Sequence, residues 1–577
     1  MIITPVFNDC ESIPLSEYPR PQFKRDSYYP LNGKWHYDIT KDNGTPDFKN
    51  EIVVPYSPES KLSGVCHVLQ NDEVLWYKRT FSLDKEFVLS HIMLNIGACD
   101  QVSEVYLNGN LVGKHLGGYN SFSFEISRFL SQENELIIKV TDNASSDIYG
   151  RGKQKYKNGG IWYTPISGIW KSIWLESVHE EYLEDVEYRI NLDENELEVK
   201  VINVGNTDKI NVKVIDGETV LSDKEYPVSD VRVDISSLKR WSPDSPELYK
   251  LVFDYANDHV ESYFGVRAFS KKSIDNRVYF TLNDKPVFQN GILDQGYFED
   301  GIYTCKTNKA MYEGLKSVKE LGFNMLRKHI KVEPMLWYYY CDVLGILVWQ
   351  DMINGGKPYN PLRIAAGAIR PLRFDDTNPS LTGRSPESKE FFLKEATETI
   401  KQLYNTVCIS TWTIFNEGWG QFDSLSVADK LKKLDTTRLF DNASGWVDTG
   451  KGDYSSHHIY FRKIKLSNDN QRVLALTEFG GYSFKAQTDN NKKAFGYKVF
   501  KDKDKLDKAI SDLFYDQVIP MIESKGMSVS VYTQLTDVEE EINGVFTSDR
   551  KLKINNETWQ NINKSIYETF ERTIGNE

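Results

Sequence analysis

The stretch Val407–Gln421, V-C-I-S-T-W-T-I-F-N-E-G-W-G-Q, is the starting point for interpreting the second half of the chain. Its first nine residues are uncharged and rich in β-branched and aromatic side chains, which is typical of a parallel strand buried on both faces. The run stops at Asn416 and Glu417. Because barrels of parallel strands carry their chemistry at the carboxyl ends of the strands, Glu417 is a candidate catalytic acid. For this carboxylate alone, a structural role at the strand end is the alternative.

A second stretch, Arg472–Gly481, repeats the pattern with an apolar run, one carboxylate at Glu478 and a pair of glycines. It therefore predicts another buried strand that delivers a single acid to the same edge. Paired carboxylates on different strands are what retaining glycoside hydrolysis requires. One of them protonates the leaving oxygen, while the other attacks the anomeric carbon as an ionised nucleophile.

Composition and charge narrow the classes of protein that the chain could represent. With 577 residues it is too long for one core, so we expect two to four domains. The net charge is −13 and no long basic run occurs, which argues against nucleic acid or an anionic membrane as a partner. The 33 Tyr, 29 Phe and 12 Trp residues suit large β-sandwich cores, and some could also be platforms for sugar stacking.

The lack of a recognisable targeting signal and the distribution of cysteines predict a cytoplasmic protein. The first ten residues lack the basic and apolar regions of a signal peptide, and no apolar stretch is long enough to predict a transmembrane helix. The six cysteines are scattered without metal-type spacing. Those within apolar runs, Cys341 and Cys408, are interpreted as reduced core residues.

The first half of the chain predicts two all-β blocks. Residues 1–180 alternate short apolar runs with turn signals, and the Asn108-Gly109 pair between two such runs predicts a hairpin. Residues 181–271 contain alternating strands such as 197–204 and 209–216. About ninety residues with roughly seven short strands favour an immunoglobulin-like β-sandwich for this second block.

Residues 272–577 predict a (β/α)₈ barrel, because strand patterns there are mostly separated by helical periods. In this count Glu417 ends the fourth strand and Glu478 ends the seventh. The long aperiodic segment Gly355–Arg384 is either a functional loop or disordered, and if ordered it should wall a substrate cleft. The eight predicted strands are 287–294, 323–330, 346–351, 407–415, 438–443, 455–460, 472–478 and 528–534.

Taken together, these motifs resemble glycoside hydrolase family 2, the group of β-galactosidases and β-glucuronidases. The resemblance covers essentially the whole chain and implies three domains in order: a jelly-roll, sugar-binding-like β-sandwich (1–180), an immunoglobulin-like β-sandwich (181–271) and a catalytic TIM barrel (272–577). The motifs that carry it are the segments 105–119, 167–175, 322–351, 416–419, 477–480 and 544–550.

The resemblance also implies roles for individual residues. Glu417 matches the general acid/base of the family and Glu478 its nucleophile. Asn416 matches the amide that hydrogen-bonds the 2-hydroxyl of the sugar. Arg327 matches the arginine that pairs with the nucleophile and keeps it ionised.

The chain departs from many relatives at three places. His329 stands one position earlier than the histidine of the common Arg-x-Ser-His-x-Pro pattern, and Trp162 replaces an aspartate that reaches the sugar. The Asn-x-Lys motif that reads a glucuronide carboxylate is replaced by Glu541-Ile542-Asn543. Galactoside specificity is therefore the default, and β-glucuronidase or another β-glycosidase of the family is the alternative.

Further substrate contacts are predicted from residues at or near the ends of the predicted strands. Asp294 is a candidate ligand of a sugar hydroxyl, and Trp446, Tyr460 and Tyr532 are candidate stacking or rim residues. The pair His457-His458 could be a metal pair, but adjacent strand residues point to opposite faces, so one of the two is expected to be a neutral, hydrogen-bonding residue of the cleft. We predict no metal ligands and no cofactor, and the sequence leaves open whether a metal ion supports the site.

Two hypotheses from different classes follow. The first is an exo-acting, retaining β-glycosidase that acts on small oligosaccharides or glycosides. The second is a carbohydrate-binding protein whose barrel no longer catalyses. The sequence leaves the oligomeric state open, with a homo-oligomer as one alternative.

Overall fold

The computed structural model describes residues 7, 13–42, 44–358, 362, 366–367, 369, 372, 375–378, 383–485 and 495–575. Half of the segment Gly355–Arg384 lies outside these residues, so the prediction that this segment walls the cleft falls largely outside the described part of the chain.

The first block folds as two facing antiparallel sheets around an apolar core. One has the strand order β1-β12-β5-β9 and the other the order β3-β2-β4-β10-β7-β8, with the short pair β11-β6 beside them. Asn108 and Gly109, both with positive φ (51° and 78°), join β7 to β8, so the predicted hairpin is confirmed. The strands are Tyr28–Pro30, Gly33–Lys41, Asn50–Val54, Glu73–Phe81, His91–Ile96, Cys99–Asp100, Val102–Leu107, Asn110–Leu116, Phe122–Glu125, Asn134–Thr141, Gly168–Ile169 and Ile173–Val178 (β1 to β12).

The second block is a smaller sandwich of seven strands, in agreement with the expected number. Its sheets have the orders β13-β14-β17 and β16-β15-β18-β19. Alternation in β15, where Ile210, Val212 and Val214 are buried, points one face of that strand into the core between the sheets. The strands are Tyr182–Asn191, Glu196–Val204, Lys209–Asp216, Thr219–Pro227, Val231–Asp234, Tyr249–Tyr255 and Asp258–Phe264 (β13 to β19).

Among the described residues, the main sheet of the third block contains eight strands that pair in parallel, one for each predicted strand. The parallel ladders run β28-β29-β32-β23-β24-β25-β26-β27. The Phe440 N–H in β27 donates to Oδ2 of Asp453, just before β28, at 3.0 Å. This bond brings β27 and β28, the last and first strands of the order, next to each other. These strands are Gln289–Asp294, Met325–Lys328, Leu347–Asp351, Ile409–Thr413, Leu439–Asp441, Tyr454–Ile459, Val473–Gly480 and Val529–Thr533 (β23 to β29, and β32).

Short strands flank the barrel. Three of them form an antiparallel arrangement that joins the sheet beside β29, and two others form a small parallel pair. They are Phe269–Ile274, Arg277–Leu282 and Lys285–Pro286 (β20 to β22), then Tyr482–Phe484 and Lys498–Phe500 (β30 and β31).

Helices connect most of the barrel strands and follow the capping signals of the sequence. Thr307 caps the first helix, which buries Met311, Leu315 and Val318 as its period predicts, and Gly345 ends the second in a left-handed conformation with φ 68°. None of the helices in the described part of the chain combines the length and apolar character needed to cross a membrane. They are Asn308–Glu320, Met335–Leu344, Pro386–Gln402, Ser424–Lys432, Lys503–Leu513, Ile519–Lys525 and Asn556–Gly575 (α1 to α7), with a π-helical turn at Phe514–Val518 between α5 and α6 and a 3₁₀ turn at Ser127–Phe129.

The loop after β10 of the first sandwich lies against the mouth of the barrel. The backbone N–H of Arg151 donates to Asn354 O at 3.0 Å, just beyond β25. Asn120 Nδ2 donates to Glu395 O in α3 at 3.1 Å. The first bond fixes the loop after β10 at the carboxyl end of β25, beside the candidate site, and the second fixes the segment between β8 and β9 against α3.

Candidate active site

Glu417 and Glu478 converge at the carboxyl end of the barrel, although 61 positions separate them in sequence. Glu478 lies in β29 and Glu417 follows β26. A carboxylate oxygen of each and a ring nitrogen of His458 all lie within 4.8 Å of one another. His458 Nδ1 is 2.8 Å from Glu417 Oε1 and 3.5 Å from Glu478 Oε1. The closest oxygens of the two carboxyl groups are therefore nearer to each other than the roughly 6.5–9.5 Å separation of inverting pairs.

Arg327, in β24, holds three neighbouring groups from the interior of the barrel. Its Nη1 donates to Glu478 Oε1 at 3.0 Å, and its Nη2 donates to Asn416 Oδ1 at 2.8 Å. Its Nε donates to Asp351 Oδ1, also at 3.0 Å. The guanidinium is fully buried, so its planar arrangement of donors fixes the orientation of the carboxylates and the amide around it.

The surroundings of Glu478 keep this carboxyl ionised. Burial alone would raise its pKa, but the opposing charges of His458 and Arg327 outweigh that effect and hold the pKa well below its usual range. Tyr460 also donates its hydroxyl to Glu478 Oε2 at 2.5 Å. An ionised, oriented carboxylate at this position is chemically suited to act as a nucleophile.

The surroundings of Glu417 act in the opposite direction. Burial raises its pKa, the negative charge of Glu478 raises it further, and the hydrogen bond with His458 offsets part of this rise. Glu417 adopts the left-handed conformation, with φ 55°, and its N–H donates to Ser444 O at 2.8 Å. This bond to the residues after β27 stabilises a turn that aims the side chain at the centre of the barrel mouth.

Among the described residues, one group of side chains is arranged so that it could hold a metal ion: Glu417, His458 and Glu478. A divalent cation there would lie beside the buried guanidinium of Arg327, which is 3.0 Å from Glu478. Repulsion between the two cations disfavours metal binding, and the carboxylate of Glu478 already has Arg327 as its counter-ion.

A cavity of about 380 Å³ opens in front of Asn416 and Glu417. Residues from the first sandwich, Lys153 and 159–162, line one part of it. The remaining lining residues come from the barrel and its loops: Ile330, Trp419, Trp446, Phe461, Phe495 and Tyr497.

Several residues predicted from the sequence lie in or next to this cavity. Trp162 lines it and packs edge-to-face on Trp419, with ring centroids 5.3 Å apart. Trp446 also lines it and lies near the His458 ring. Tyr460 is directly behind the wall, where its ring stacks on Tyr497 at 3.8 Å.

His329 lies behind the site and not on the cavity wall. Its Nδ1 is 2.8 Å from Asp351 Oδ2, beside Arg327. Burial and the nearby positive charge of Lys153 lower the pKa of His329 to about 4, so its ring is neutral at pH 7. It supports Asp351, and through Asp351 the guanidinium.

The structure does not bring Asp294 and Tyr532 to the cavity. Asp294 pairs with the buried Lys328, whose Nζ donates to its Oδ2 at 2.6 Å. The ring of Tyr532 packs on Trp559 and Phe514, because alternation along β32 turns it towards the helices outside the barrel. Both were predicted as substrate contacts because of their places near strand ends, which do not determine the direction of a side chain.

The structure also contains functional candidates that the sequence did not single out. Lys153 lines the cavity from a loop of the first sandwich, and no local pattern connects that loop to the barrel. Tyr497 lies outside the predicted strands. In contrast, the expectation that one of two adjacent histidines faces the cleft is confirmed, because His458 contacts Glu417 while His457 faces Ser455.

The fold and the site define a three-domain barrel protein with paired carboxylates at the carboxyl ends of its strands. Family models for glycosyl hydrolases family 2 match the chain in three consecutive parts. The sugar binding domain matches residues 64–176, a second domain matches 173–267, and the TIM barrel domain matches 274–568. The chain belongs to glycoside hydrolase family 2.

Curated relatives are similar over much of this chain. A putative beta-glucuronidase of Formosa agariphila is 25% identical over 451 residues, covering 72% of this chain and 40% of the relative. A beta-galactosidase of Thermoanaerobacter pseudethanolicus is 25% identical over 498 residues, covering 80% of this chain and 60% of the relative. The chain thus spans about half of the length of these relatives.

Solved structures share the fold over almost the full length. A beta-D-glucuronidase of Dictyoglomus thermophilum superposes with a TM-score of 0.73 at 17% identity, covering 95% of this chain and 98% of the other. A GH2 beta-galacturonidase of Eisenbergiella tayi gives a TM-score of 0.71 at 16% identity, covering 95% and 98%. At these identities the likeness establishes the fold.

Proposed function

We propose that this protein is an exo-acting, retaining β-glycosidase. The observation that carries the proposal is the pair Glu417 and Glu478, which lie close together with their pKa values shifted in opposite directions. A barrel that only bound sugar would not need one protonated and one ionised carboxyl at this distance.

In the first step Glu478 would attack the anomeric carbon, and the bond from that carbon to the leaving oxygen would break. Glu417 would give its proton to that oxygen, leaving a covalent glycosyl-enzyme on Glu478 and an ionised Glu417. In the second step Glu417 would take a proton from water, whose oxygen attacks the anomeric carbon and releases Glu478. The configuration at the anomeric carbon is retained after two inversions.

Asn416 and Arg327 would position the substrate and the nucleophile. Because Asn416 Oδ1 accepts from Arg327, its amide nitrogen remains as a donor that can be directed to the 2-hydroxyl of the sugar. Such a bond strengthens as positive charge develops on the ring in the transition state. Tyr460 and Arg327 would together keep both oxygens of Glu478 hydrogen-bonded until attack.

The exo mode of cleavage is supported by the shape of the site. The cavity of about 380 Å³ is closed on one side by the sandwich loop 159–162, as in a pocket for a chain end and unlike an open groove. This volume is at the small end of the range for small-molecule sites.

A β-galactoside is the default substrate, and Lys153 favours a second candidate, a β-uronide. Lys153 lines the cavity, and no hydrogen bond or ion pair of its ammonium group is found among the described residues. Its charge acts on both Glu417 and Glu478, so it lies within electrostatic range of the reacting sugar. A cation there could pair with a sugar carboxylate, in place of the missing Asn-x-Lys motif.

A panel of 4-nitrophenyl β-glycosides tests the proposal: galactoside, glucuronide, galacturonide, mannoside, glucosaminide and arabinoside. We expect turnover of at least one of them, with retention of configuration by proton NMR of the first product. If Lys153 reads a carboxylate, Lys153→Met will raise KM for a uronide and leave KM for a neutral glycoside unchanged. Binding of sugars without any turnover would instead support the carbohydrate-binding alternative.

We also propose that the protein works in the cytoplasm. The described cysteines, Cys66, Cys99, Cys305, Cys341 and Cys408, are all free thiols, as a reducing compartment allows. Small glycosides would then be the substrates, without nucleic acid or membrane partners. Light scattering of the purified protein would determine whether it forms a homo-oligomer.

A further inference from the structure

The outer part of the cavity is unusually apolar for a site that binds sugars. Phe461 and Phe495 line it with 64% and 36% of their surfaces exposed. Exposed aromatic residues that gather at one opening mark a binding surface, whereas isolated ones need no explanation. We call Phe461, Phe495 and Tyr497 the rim cluster.

The rim cluster is continuous with the nucleophile. Tyr460, which donates to Glu478, stacks on Tyr497 at 3.8 Å with ring planes 8° apart. The Phe461 and Phe495 rings then meet the Tyr497 ring at 5.2 Å and 5.8 Å, both nearly edge-to-face. A connected group of aromatic rings therefore extends from the neighbourhood of Glu478 to the outside of the cavity.

The first sandwich contributes a second apolar surface, and the two are tied together. Ile161 and Trp162 line the same cavity. The Gly160 N–H donates to Glu540 Oε2 at 3.0 Å, and the Phe495 N–H donates to Glu540 O at 2.7 Å. A single residue thus connects the sandwich loop to Phe495, which places the two apolar surfaces on the same opening.

Few side chains of the cavity could satisfy the hydroxyls of a second sugar. Apart from tryptophan N–H groups, the hydrogen-bonding side chains that line it in the described part of the chain are Lys153, Asn416, Glu417 and Tyr497. Asn416 and Glu417 are engaged by the sugar that reacts. Burying unsatisfied hydroxyls costs free energy, whereas an aromatic ring gains from stacking on this surface.

We propose that the rim cluster, with Ile161 and Trp162, is an aglycone site for flat, apolar groups such as aryl rings. The preferred substrates would be glycosides of aromatic alcohols, in preference to disaccharides. This inference rests on the proposed function, because it assigns the sugar to Glu417 and Glu478 and the aglycone to the rim.

Binding of uncleaved thioglycosides tests the site without the influence of leaving-group chemistry. The probes are methyl and 2-phenylethyl 1-thio-β-D-galactopyranoside, and the same pair of β-D-glucuronides, measured by calorimetry with the wild-type protein. We expect the phenylethyl compound to bind about tenfold more tightly than the methyl compound for the sugar that the protein accepts. Equal binding of the two compounds, within twofold, would overturn the aglycone site.

Substitutions in the rim cluster test whether these residues cause the tighter binding of the phenylethyl compound. In Phe461→Ala and Phe495→Ala, the ratio of the two dissociation constants should fall at least threefold, while binding of the methyl compound stays the same. Tyr515→Ala, which removes an aromatic side chain with similar exposure (43%) from the π-helical turn, should leave the ratio unchanged. A ratio that stays at the wild-type value in both phenylalanine variants would contradict the assignment.

The outcomes also separate this inference from the proposed function. Turnover in the glycoside panel with equal binding of methyl and phenylethyl probes would support the glycosidase function and contradict the aglycone site. Preference for the phenylethyl probe with no turnover of any glycoside would support an apolar binding site at the rim cluster and contradict the glycosidase function.

Discussion

The residues around Glu417 and Glu478 shift the pKa values of these two carboxyl groups in opposite directions. Both are carboxyl groups near the same histidine, but only Glu478 is paired with the guanidinium of Arg327. His458 and Arg327 together lower the pKa of Glu478, and the resulting negative charge helps to raise the pKa of Glu417. In the proposed mechanism, the contact of Arg327 with Glu478 alone therefore helps to distinguish the nucleophile from the acid.

Replacement of either carboxyl group should impair catalysis, and the kinetics of the two variants should differ. Glu478→Gln should reduce turnover of every glycoside to background, because no nucleophile remains. Glu417→Gln should lower kcat/KM about 10²- to 10⁴-fold for poor leaving groups and less for 2,4-dinitrophenyl glycosides, which need no protonation. Added azide should restore turnover in Glu417→Gln as a β-glycosyl azide. Glu568→Gln, on the exposed surface of α7, is the matched control, and near-normal activity in either active-site variant would refute the assignment.

The pairing with Arg327 predicts a change in pH dependence. Glu478 must be ionised, so activity should fall as the pH drops through its depressed pKa. In Arg327→Lys the cation is retained but its planar arrangement of donors is lost, so the pKa of Glu478 should rise. The acidic limb of the kcat/KM profile should therefore move to higher pH, while the alkaline limb, set by Glu417, moves little. An unchanged acidic limb would show that Arg327 does not control this ionisation.

At the scale of elements, local signals agree with the observed strands and helices wherever one face or the whole element is buried. Barrel strands such as Ile409–Thr413 and Val473–Gly480 were predicted from apolar runs, because parallel strands buried on both faces are mostly apolar. The hairpin at Asn108 and Gly109 follows from the positive φ that such a turn requires. The domain boundaries near residues 180 and 271 stay predictions.

Two helix glycines offer a matched test of these local rules. Gly314 lies inside α1 with open space around its missing Cβ, so Gly314→Ala should increase the free energy of unfolding by about 0.5–1 kcal/mol. Gly345 ends α2 with φ 68°, and a Cβ there would lie 2.4 Å from Pro243 O. Gly345→Ala should therefore destabilise the protein by more than about 1 kcal/mol. Thermal melting of both variants checks the signs, and equal shifts would contradict the argument.

At the scale of the whole molecule, a buried ionic cluster joins the N-terminal segment to both sandwiches. Glu176 in β12 accepts from Arg20 and Arg25, and Arg25 also donates to Asp258 in β19. Burial raises the pKa of Glu176, but Arg20 and Arg25 outweigh this effect and keep the pKa below its ordinary value.

This cluster predicts how stability depends on pH. Because the folded-state pKa of Glu176 is depressed, its contribution is present above the unfolded pKa, near 4.5, and is lost as the pH falls through the folded pKa. Glu176→Gln leaves buried arginines without their anion and should cost about 3–5 kcal/mol at pH 7. The difference in free energy of unfolding between this variant and the wild type should become smaller in strong acid. Urea denaturation at pH 7 and pH 3 measures both, and a constant difference would refute the linkage.

The sequence by itself determined the three-domain order, the barrel strands and the two carboxylates, because burial on both strand faces and acids at strand ends leave local patterns. Only the tertiary structure decided which side chains meet. Tyr532 faces the outer helices and Asp294 pairs with Lys328, while Lys153 and Trp162 enter the site from another domain. The reason is physical: periodicity records whether a face is buried, but contacts across loops and domains depend on distances that neighbouring residues do not encode.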